Sequence, residues 1–304
     1  MAERMGEFES SKIVAIANKA NAMKEQGLDV VSFSIGVPNF DPPKHVFDAA
    51  KQAAEDGVGR TYLPSKGMPQ LINAFIERQK QDGFEWEVDE VCATMGGKSA
   101  IFMLFNALIN EDEEVIIPTP FWSSYTGILR YAGKGEPVLV RCPAEQEYKI
   151  TPEQLQAAIT PKTKAFLFNN PSNPTGMTYT KEEVKALGDV LEKHPDIWII
   201  SDDIYDKLIY DGETFNHLLH TNPNLKGRVF TCQSVSKNYG MPGWRGGFAC
   251  GPKEVIQMLP KVVSQTYMNI PGVAQLAAAA AFSGDHGFLE PLKAEFVKKR
   301  DKTL

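Results

Sequence analysis

The stretch Ser234-Val235-Ser236-Lys237-Asn238-Tyr239-Gly240-Met241-Pro242-Gly243-Trp244-Arg245-Gly246-Gly247 crowds two serines, a lysine, an arginine and four glycines into one loop. It follows the apolar, β-branched run Arg228 to Cys232, so the loop leaves the C-terminal edge of an expected strand. Glycines let a backbone approach a ligand closely. Serine hydroxyls and an arginine fork suit a phosphate. A lysine among them becomes a nucleophilic amine when burial or nearby positive charge lowers its pKa, about 10.4 when free. A lone S-x-S-K match fits a solvated turn equally well, so its meaning depends on what surrounds it.

Working upstream, Ile197-Trp198-Ile199-Ile200-Ser201 is a near-continuous apolar strand ending in Asp202-Asp203-Ile204-Tyr205. Successive strand side chains point to opposite faces, so only one of the two aspartates can face a given site. Paired metal-binding carboxylates are therefore not expected, and no metal site is assigned. His217 and His220 lack a third ligand and read as surface or cap chemistry. Lys164 to Asn169 is another buried-type strand. It leads into Asn170-Pro171-Ser172-Asn173-Pro174-Thr175-Gly176, a rigid turn that aims the Asn173 amide back over the strand end.

The same layout recurs further upstream. Val91 to Thr94 is a strand, and Gly96-Gly97-Lys98-Ser99 opens a helix to Ile109, which presents free backbone N–H groups to an anion. The pattern is neither G-x-G-x-x-G nor a Walker loop. Glu113 to Ile117 is a strand closed by Pro118 and Pro120, and Phe121-Trp122-Ser123-Ser124-Tyr125 begins a helix. Trp122 is placed to stack on a planar ring or to pack in the core.

The remaining elements complete an α/β pattern. Residues 1–30 form a helix with Ile13, Ile16, Ala17, Ala20 and Met23 on one face, ended by Gly27. Val30 to Ile35 alternates as a short strand, broken at Gly36 and Pro38. Helices are expected over Lys44–Asp56, Pro69–Gln81, Pro152–Ile159, Lys181–Lys193, Lys253–Lys261, from Ala274 to Phe282, and over Leu289–Leu304. Further strands are Glu136–Arg141 and Gly246–Cys250. Tyr62 lies in the loop Gly59 to Gly67.

Bulk properties exclude several classes. A net charge of −6 over 304 residues suggests neither nucleic acid nor an anionic membrane as a partner. No apolar run is long enough to span a bilayer. Cys92, Cys142, Cys232 and Cys250 form no C-x-x-C pair and read as buried thiols of a reducing compartment. With no signal-peptide core, a cytoplasmic location is expected. Glycines for an anion, a stacking tryptophan, an asparagine, an aspartate, a tyrosine, a lysine and an arginine all fall at strand ends. Together they describe a cradle for a planar, phosphorylated, aldehyde-bearing ring, pyridoxal 5′-phosphate (PLP).

Met95-Gly96-Gly97-Lys98, the Asn170 to Gly176 turn, Ser201 to Tyr205 and Ser234 to Gly247 together resemble the class I/II aminotransferases, closest to the aspartate/prephenate branch. The resemblance runs from the first helix to the last residue. It implies the PLP-dependent fold type I: a mostly parallel central sheet flanked by helices, with an incomplete small domain built from both termini. The expected division is an arm and small-domain segment over 1–45, a large PLP-binding domain over 46–283, and the start of a C-terminal small domain over 284–304.

The resemblance also implies roles. Lys237 holds PLP as a Schiff base and carries the proton between substrate Cα and cofactor. Asp202 pairs with the pyridine nitrogen, and Asn173 and Tyr205 bond the ring's 3′-oxygen. Trp122 stacks on the ring. Gly97, Lys98, Ser234, Ser236 and Arg245 hold the phosphate, and Tyr62 reaches it from the neighbouring subunit of a homodimer. Gly36 lies against the substrate, with Trp122, Asn173 and Lys98. Lys98 in this branch meets the distal carboxylate of acidic substrates, although a hydroxyl position that assists it there is Ile13 here. Family members continue into a segment carrying the arginine that clamps the substrate α-carboxylate. No motif here replaces it, so either the sequence is a fragment or truncated form, or catalysis in the chain as given is expected to be impaired, with amino-acid binding weakened. The expected activity is transfer of an amino group from an amino acid, aspartate or glutamate among them, to a 2-oxo acid. A lyase on the same cradle and a PLP-binding protein without full activity remain as alternatives.

Overall fold

The structure, a computed structural model, describes residues 12–304. Its centre is one seven-stranded sheet: β1 (Val91–Thr94), β2 (Glu114–Thr119), β3 (Glu136–Arg141), β4 (Thr163–Asn169), β5 (Trp198–Asp202), β6 (Val229–Ser234) and β7 (Gly247–Cys250). The spatial order is β1-β7-β6-β5-β4-β2-β3. β7 runs antiparallel to both β1 and β6, and the pairings from β6 through β5, β4 and β2 to β3 are parallel. This is the expected α/β architecture.

Apolar residues on both faces of the central strands explain why helices cover both sides. Along β4, Ala165 and Leu167 enter the cluster formed with Ile101, Leu104 and Phe105 of the helix Gly97–Leu108. Phe166 and Phe168 enter the opposite cluster, with Val184, Leu187 and Leu191 of the helix Lys181–Glu192. A third cluster lies beyond β7, where Phe75 stacks on Phe248 with ring centroids 4.0 Å apart and Phe282 meets both edge-on. All four cysteines are free and buried, as expected.

Several elements differ from the expectation. Val30 to Ile35 forms no strand; Val31 and Phe33 are 76% and 87% exposed. The alternating pattern is real, but no described strand lies alongside to pair its N–H and C=O groups. The first helix spans Lys12–Glu25, and Gly27, at φ 81°, ends it as expected. Ile16, assigned to its apolar face, is 58% exposed; residues 1–11 of that helix lie outside the described range. Pro118 does not close β2; it sits inside it, opposite Val140. The next helix starts at Ser124, leaving Phe121 and Trp122 in the preceding turn. The single helix expected over Lys253–Lys261 is two, Lys253–Ile256 and Leu259–Ser264. Pro260 has no N–H to continue the first and sits at the start of the second.

Candidate active site

Strand register brings the sequence motifs to one edge of the sheet. Asn169 at the end of β4 pairs with Asp202 at the end of β5, and Asp202 with Cys232 of β6. Across the antiparallel strand, Gly247 lies opposite both Thr94, where β1 ends, and Ser234, where β6 ends. The four loops that follow β1, β4, β5 and β6 therefore open at the same place, the usual ligand edge of such a sheet.

One side of the site is built from tight backbone. Gly96 has φ 85°, and a Cβ added to it would fall 2.4 Å from Arg245 Nη2. A Cβ on Gly247 would fall 2.4 Å from the Gly96 carbonyl carbon. Only glycine fits where two loops approach this closely. Arg245 reaches across, donating to the Pro242 carbonyl at 2.7 Å and the Met95 carbonyl at 3.0 Å. Ser234 Oγ accepts from the Ser236 N–H and donates to Ser236 Oγ at 2.7 Å. Gly97 opens the next helix; a Cβ added to it would lie 3.1 Å from Ile204 Cγ2 and 3.8 Å from Ser234 Cβ. Lys98 turns its Nζ over the Trp122 ring, 4.8 Å from the centroid. Burial lowers its pKa, and Arg245 adds repulsion.

The other side of the site centres on a buried acid. Asp202 is 1% exposed; Tyr125 donates to its Oδ2 at 2.5 Å, while Oδ1 has no partner among the described residues. Burial pushes this carboxyl up to about 7, the Tyr125 hydrogen bond opposing and Asp203 adding to the rise. Asn169 donates to the Asp202 carbonyl and accepts from the Asn173 N–H, each at 2.8 Å. Asn173 Nδ2 donates to the Tyr205 hydroxyl at 3.3 Å. Lys237, at the end of the short helix Val235–Asn238, places Nζ 6.0 Å from the Tyr205 ring and donates to the Gly36 carbonyl at 2.6 Å. Burial lowers its pKa.

Asp203 points away, as strand alternation requires: its Oδ1 accepts from Ser201 Oγ at 2.6 Å. On that far side the cap reading of His217 holds and its surface reading does not. His217 is not at the surface but 1% exposed, with Nε2 3.2 Å from Asp203 Oδ2. Its other nitrogen, Nδ1, caps a short helix by accepting from Leu219 N–H, which leaves the proton on Nε2.

Tyr62 stands apart from the rest. It is 83% exposed, lining a cleft with Tyr267, Asn269 and Pro271. Three participants carried no recognisable sequence motif: Tyr125, Asn169 and Tyr267. The Tyr267 hydroxyl accepts from the Met95 N–H at 3.2 Å and bonds Ser99 at 3.1 Å, bracing the Gly96 turn. Among the described residues, no cluster of three or more His, Cys, Asp or Glu side chains could hold a metal, and no helix is long and apolar enough to cross a membrane.

The donor set fits a phosphorylated pyridine aldehyde: an orphaned buried acceptor for a ring N–H, an amine of lowered pKa, and glycines kept free of Cβ beside two serines and an arginine. These features define the class of PLP enzymes that work on amino groups. The model of the family "Aminotransferase class I and II" matches residues 28–304, and the chain belongs to that family as a PLP-dependent aminotransferase acting on small molecules. It is 42% identical over 300 residues to the aspartate aminotransferase of Geobacillus stearothermophilus, covering 98% of this chain and 76% of that one. To the aspartate/prephenate aminotransferase of Cereibacter sphaeroides it is 41% identical over 303 residues, 99% of this chain and 75% of the other. The crystal structure of the Rhizobium meliloti aspartate aminotransferase superposes with a TM-score of 0.94 at 38% identity, over 99% of this chain and 75% of that one. The aspartate aminotransferase of Thermus thermophilus with maleate gives 0.92 at 36%, over 99% and 78%.

Proposed function

We propose that Lys237 is the amine to which PLP is joined, that Asp202 meets the cofactor's ring nitrogen, and that aspartate or glutamate is the amino donor. The observation that carries this reading is the Asp202 carboxylate, buried, held on one oxygen by Tyr125 and free on the other. When bound, the cofactor supplies an electron sink for the carbanion formed as the substrate loses its Cα proton. Asp202 Oδ1 would accept the ring N–H and keep that nitrogen positively charged. Lys237 Nζ would hold the cofactor and move the substrate's Cα proton; its lowered pKa would leave more of the amine neutral for that task. Asn173 and Tyr205 would hold the ring's phenolic oxygen, and Trp122 would pack against the ring. The N–H groups of Gly97 and Lys98, the hydroxyls of Ser234 and Ser236, and the Arg245 guanidinium hold the phosphate.

Lys98 Nζ, beside that loop, meets the distal carboxylate of an acidic substrate, and Gly36 lines the substrate's side. Relatives named aspartate aminotransferase, one of them solved with the dicarboxylate maleate, support this choice of donor. The exposure of Tyr62 supports a homodimer in which it serves the neighbouring subunit's phosphate. We divide the chain into an arm over 1–45, the cofactor domain over 46–283 and a small-domain segment over 284–304.

The test is chemical. Protein incubated with PLP, reduced with borohydride and digested should carry the pyridoxyl group on Lys237. Lys237→Ala should lose that label and all transamination between aspartate and 2-oxoglutarate. A label on another lysine would refute the assignment.

A further inference from the structure

The two residues after Lys237 both enter a ring of buried and half-buried polar groups. Asn238 Nδ2 donates to Asp206 Oδ1 at 2.6 Å. Asp206 Oδ2 lies 3.3 Å from Lys207 Nζ, and Lys207 Nζ lies 2.6 Å from Asp82 Oδ1. That same oxygen is 3.3 Å from Arg78 Nη2. The Arg78 guanidinium lies near the Tyr239 hydroxyl, which itself bonds His286 Nε2 at 3.2 Å. The ring thus leaves the chain at Asn238 and returns to it at Tyr239. Two cations alternate with two anions, so each charge taken from water has opposite neighbours, and removing any one leaves the others uncompensated.

This ring reaches two site elements at once. Asp206 follows Tyr205, whose ring lies 6.0 Å from Lys237 Nζ. A single hydrogen bond therefore ties together the segments that carry the amine and the phenol. The helix Val235–Asn238 has four residues. A helix so short is not stable by itself, so the direction of its side chains is set by the tertiary bonds at its ends.

We infer that Asn238 and Asp206 are positioning residues for the Lys237 amine: their bond, held in place by Lys207, Asp82 and Arg78, fixes the turn from which Nζ reaches the reacting atoms. The inference rests on Lys237 being the cofactor-bearing amine. Asn238 touches neither cofactor nor substrate in it; it acts through its neighbour. Loss of the bond lets Nζ wander, and a misplacement of about 1 Å can cost on the order of a hundredfold in rate.

The experiment compares the loaded wild-type protein with Asn238→Ala, Asp206→Ala and the double variant. Borohydride labelling of the wild type comes first. A label on a residue other than Lys237 overturns both the assignment and this inference. With Lys237 labelled, three readouts follow: the pH midpoint of the bound cofactor's absorbance change, the kcat and KM for aspartate, and the melting temperature of the apoprotein. In Asn238→Ala, kcat should fall about tenfold or more with KM within about threefold. The absorbance midpoint should move by about half a pH unit or more as the amine's surroundings change. The double variant should lose no more kcat than the worse single one, because both act through one bond. If the melting temperature falls while midpoint and kcat stay within about twofold of wild type, the ring is structural only and the inference is overturned. Should Asn238→Ala not fold, Asn238→Ser replaces it, polar but too short to reach Asp206.

Discussion

Tyr125 and Asp202 share one short hydrogen bond across two elements that lie 77 residues apart in sequence, from the tyrosine hydroxyl to Oδ2 at 2.5 Å. Burial makes Asp202 a weak acid, near 7, and this bond is the largest influence opposing that rise. Tyr125 therefore decides how much of the carboxylate is ionised near neutrality, and so how firmly it can hold a proton on a ring nitrogen.

Tyr125→Phe should raise the pKa of Asp202. A hydrogen bond to a charged group is worth about 1.5–3 kcal/mol, which corresponds to roughly one to two pH units. Affinity of the apoprotein for PLP at pH 7 should fall about tenfold, and alkaline buffer should restore part of it. A Kd for PLP at pH 7 equal to that of the wild type would remove Tyr125 from this role.

The raised pKa of Asp202 also predicts the pH dependence of apoprotein stability. The folded state keeps a proton that the unfolded chain has already released, so stability is full below about pH 4 and falls as pH rises toward 7. Asp206, raised chiefly by burial, adds in the same direction. The melting temperature of apoprotein minus that of Asp202→Asn should therefore decline from pH 4.5 to 7.5. Bound PLP gives Oδ1 a partner, so the loaded protein should show a flatter difference. An unchanged difference across that range in the apoprotein would contradict the burial argument.

Gly96→Ala should damage the phosphate side. Its φ of 85° is unfavourable for alanine, and the new methyl carbon would meet Arg245 Nη2 at 2.4 Å. Backbone strain of about 1–3 kcal/mol is expected in stability. Displacement of Arg245 from the Met95 carbonyl should weaken PLP affinity about tenfold or more, read as the Kd for PLP by fluorescence titration. Alanine accepted here with wild-type affinity would mean that Arg245 does not face the phosphate.

Much of this arrangement was legible from the chain alone. β3 and the helix Pro69–Gln81 have the boundaries expected, because apolar runs there are bracketed by strong turn or cap chemistry. The loop motifs could be placed at strand ends because strands and glycines are local signals. Val30 to Ile35 shows the limit: alternation gives a strand its pattern but not its partner. Tyr125, Asn169 and the ring from Asn238 to Tyr239 were not legible, since a hydrogen bond between distant segments leaves no spacing to read. His217 caps a helix, as one of its two readings has it, but its burial leaves no local signal for the same reason. Its burial depends on Phe84, whose ring meets it edge-on with centroids 4.9 Å apart, and on Asp203.

Lys98 gives the sharpest test of substrate choice. Its ammonium lies over the Trp122 ring at the edge of the anion loop, where it can pair with a second carboxylate that only acidic substrates carry. Lys98→Gln keeps length and polarity but removes the charge. A charge-assisted hydrogen bond of about 1.5–3 kcal/mol predicts a rise of roughly 10- to 100-fold in KM for aspartate, with little change for a neutral amino acid. Burial and the Arg245 charge lower the Lys98 pKa. The ammonium is therefore lost at lower pH than for a free lysine, and wild-type KM for aspartate should climb on the alkaline side while that of Lys98→Gln stays level. Equal losses for aspartate and for a neutral donor would assign Lys98 to the cofactor phosphate alone.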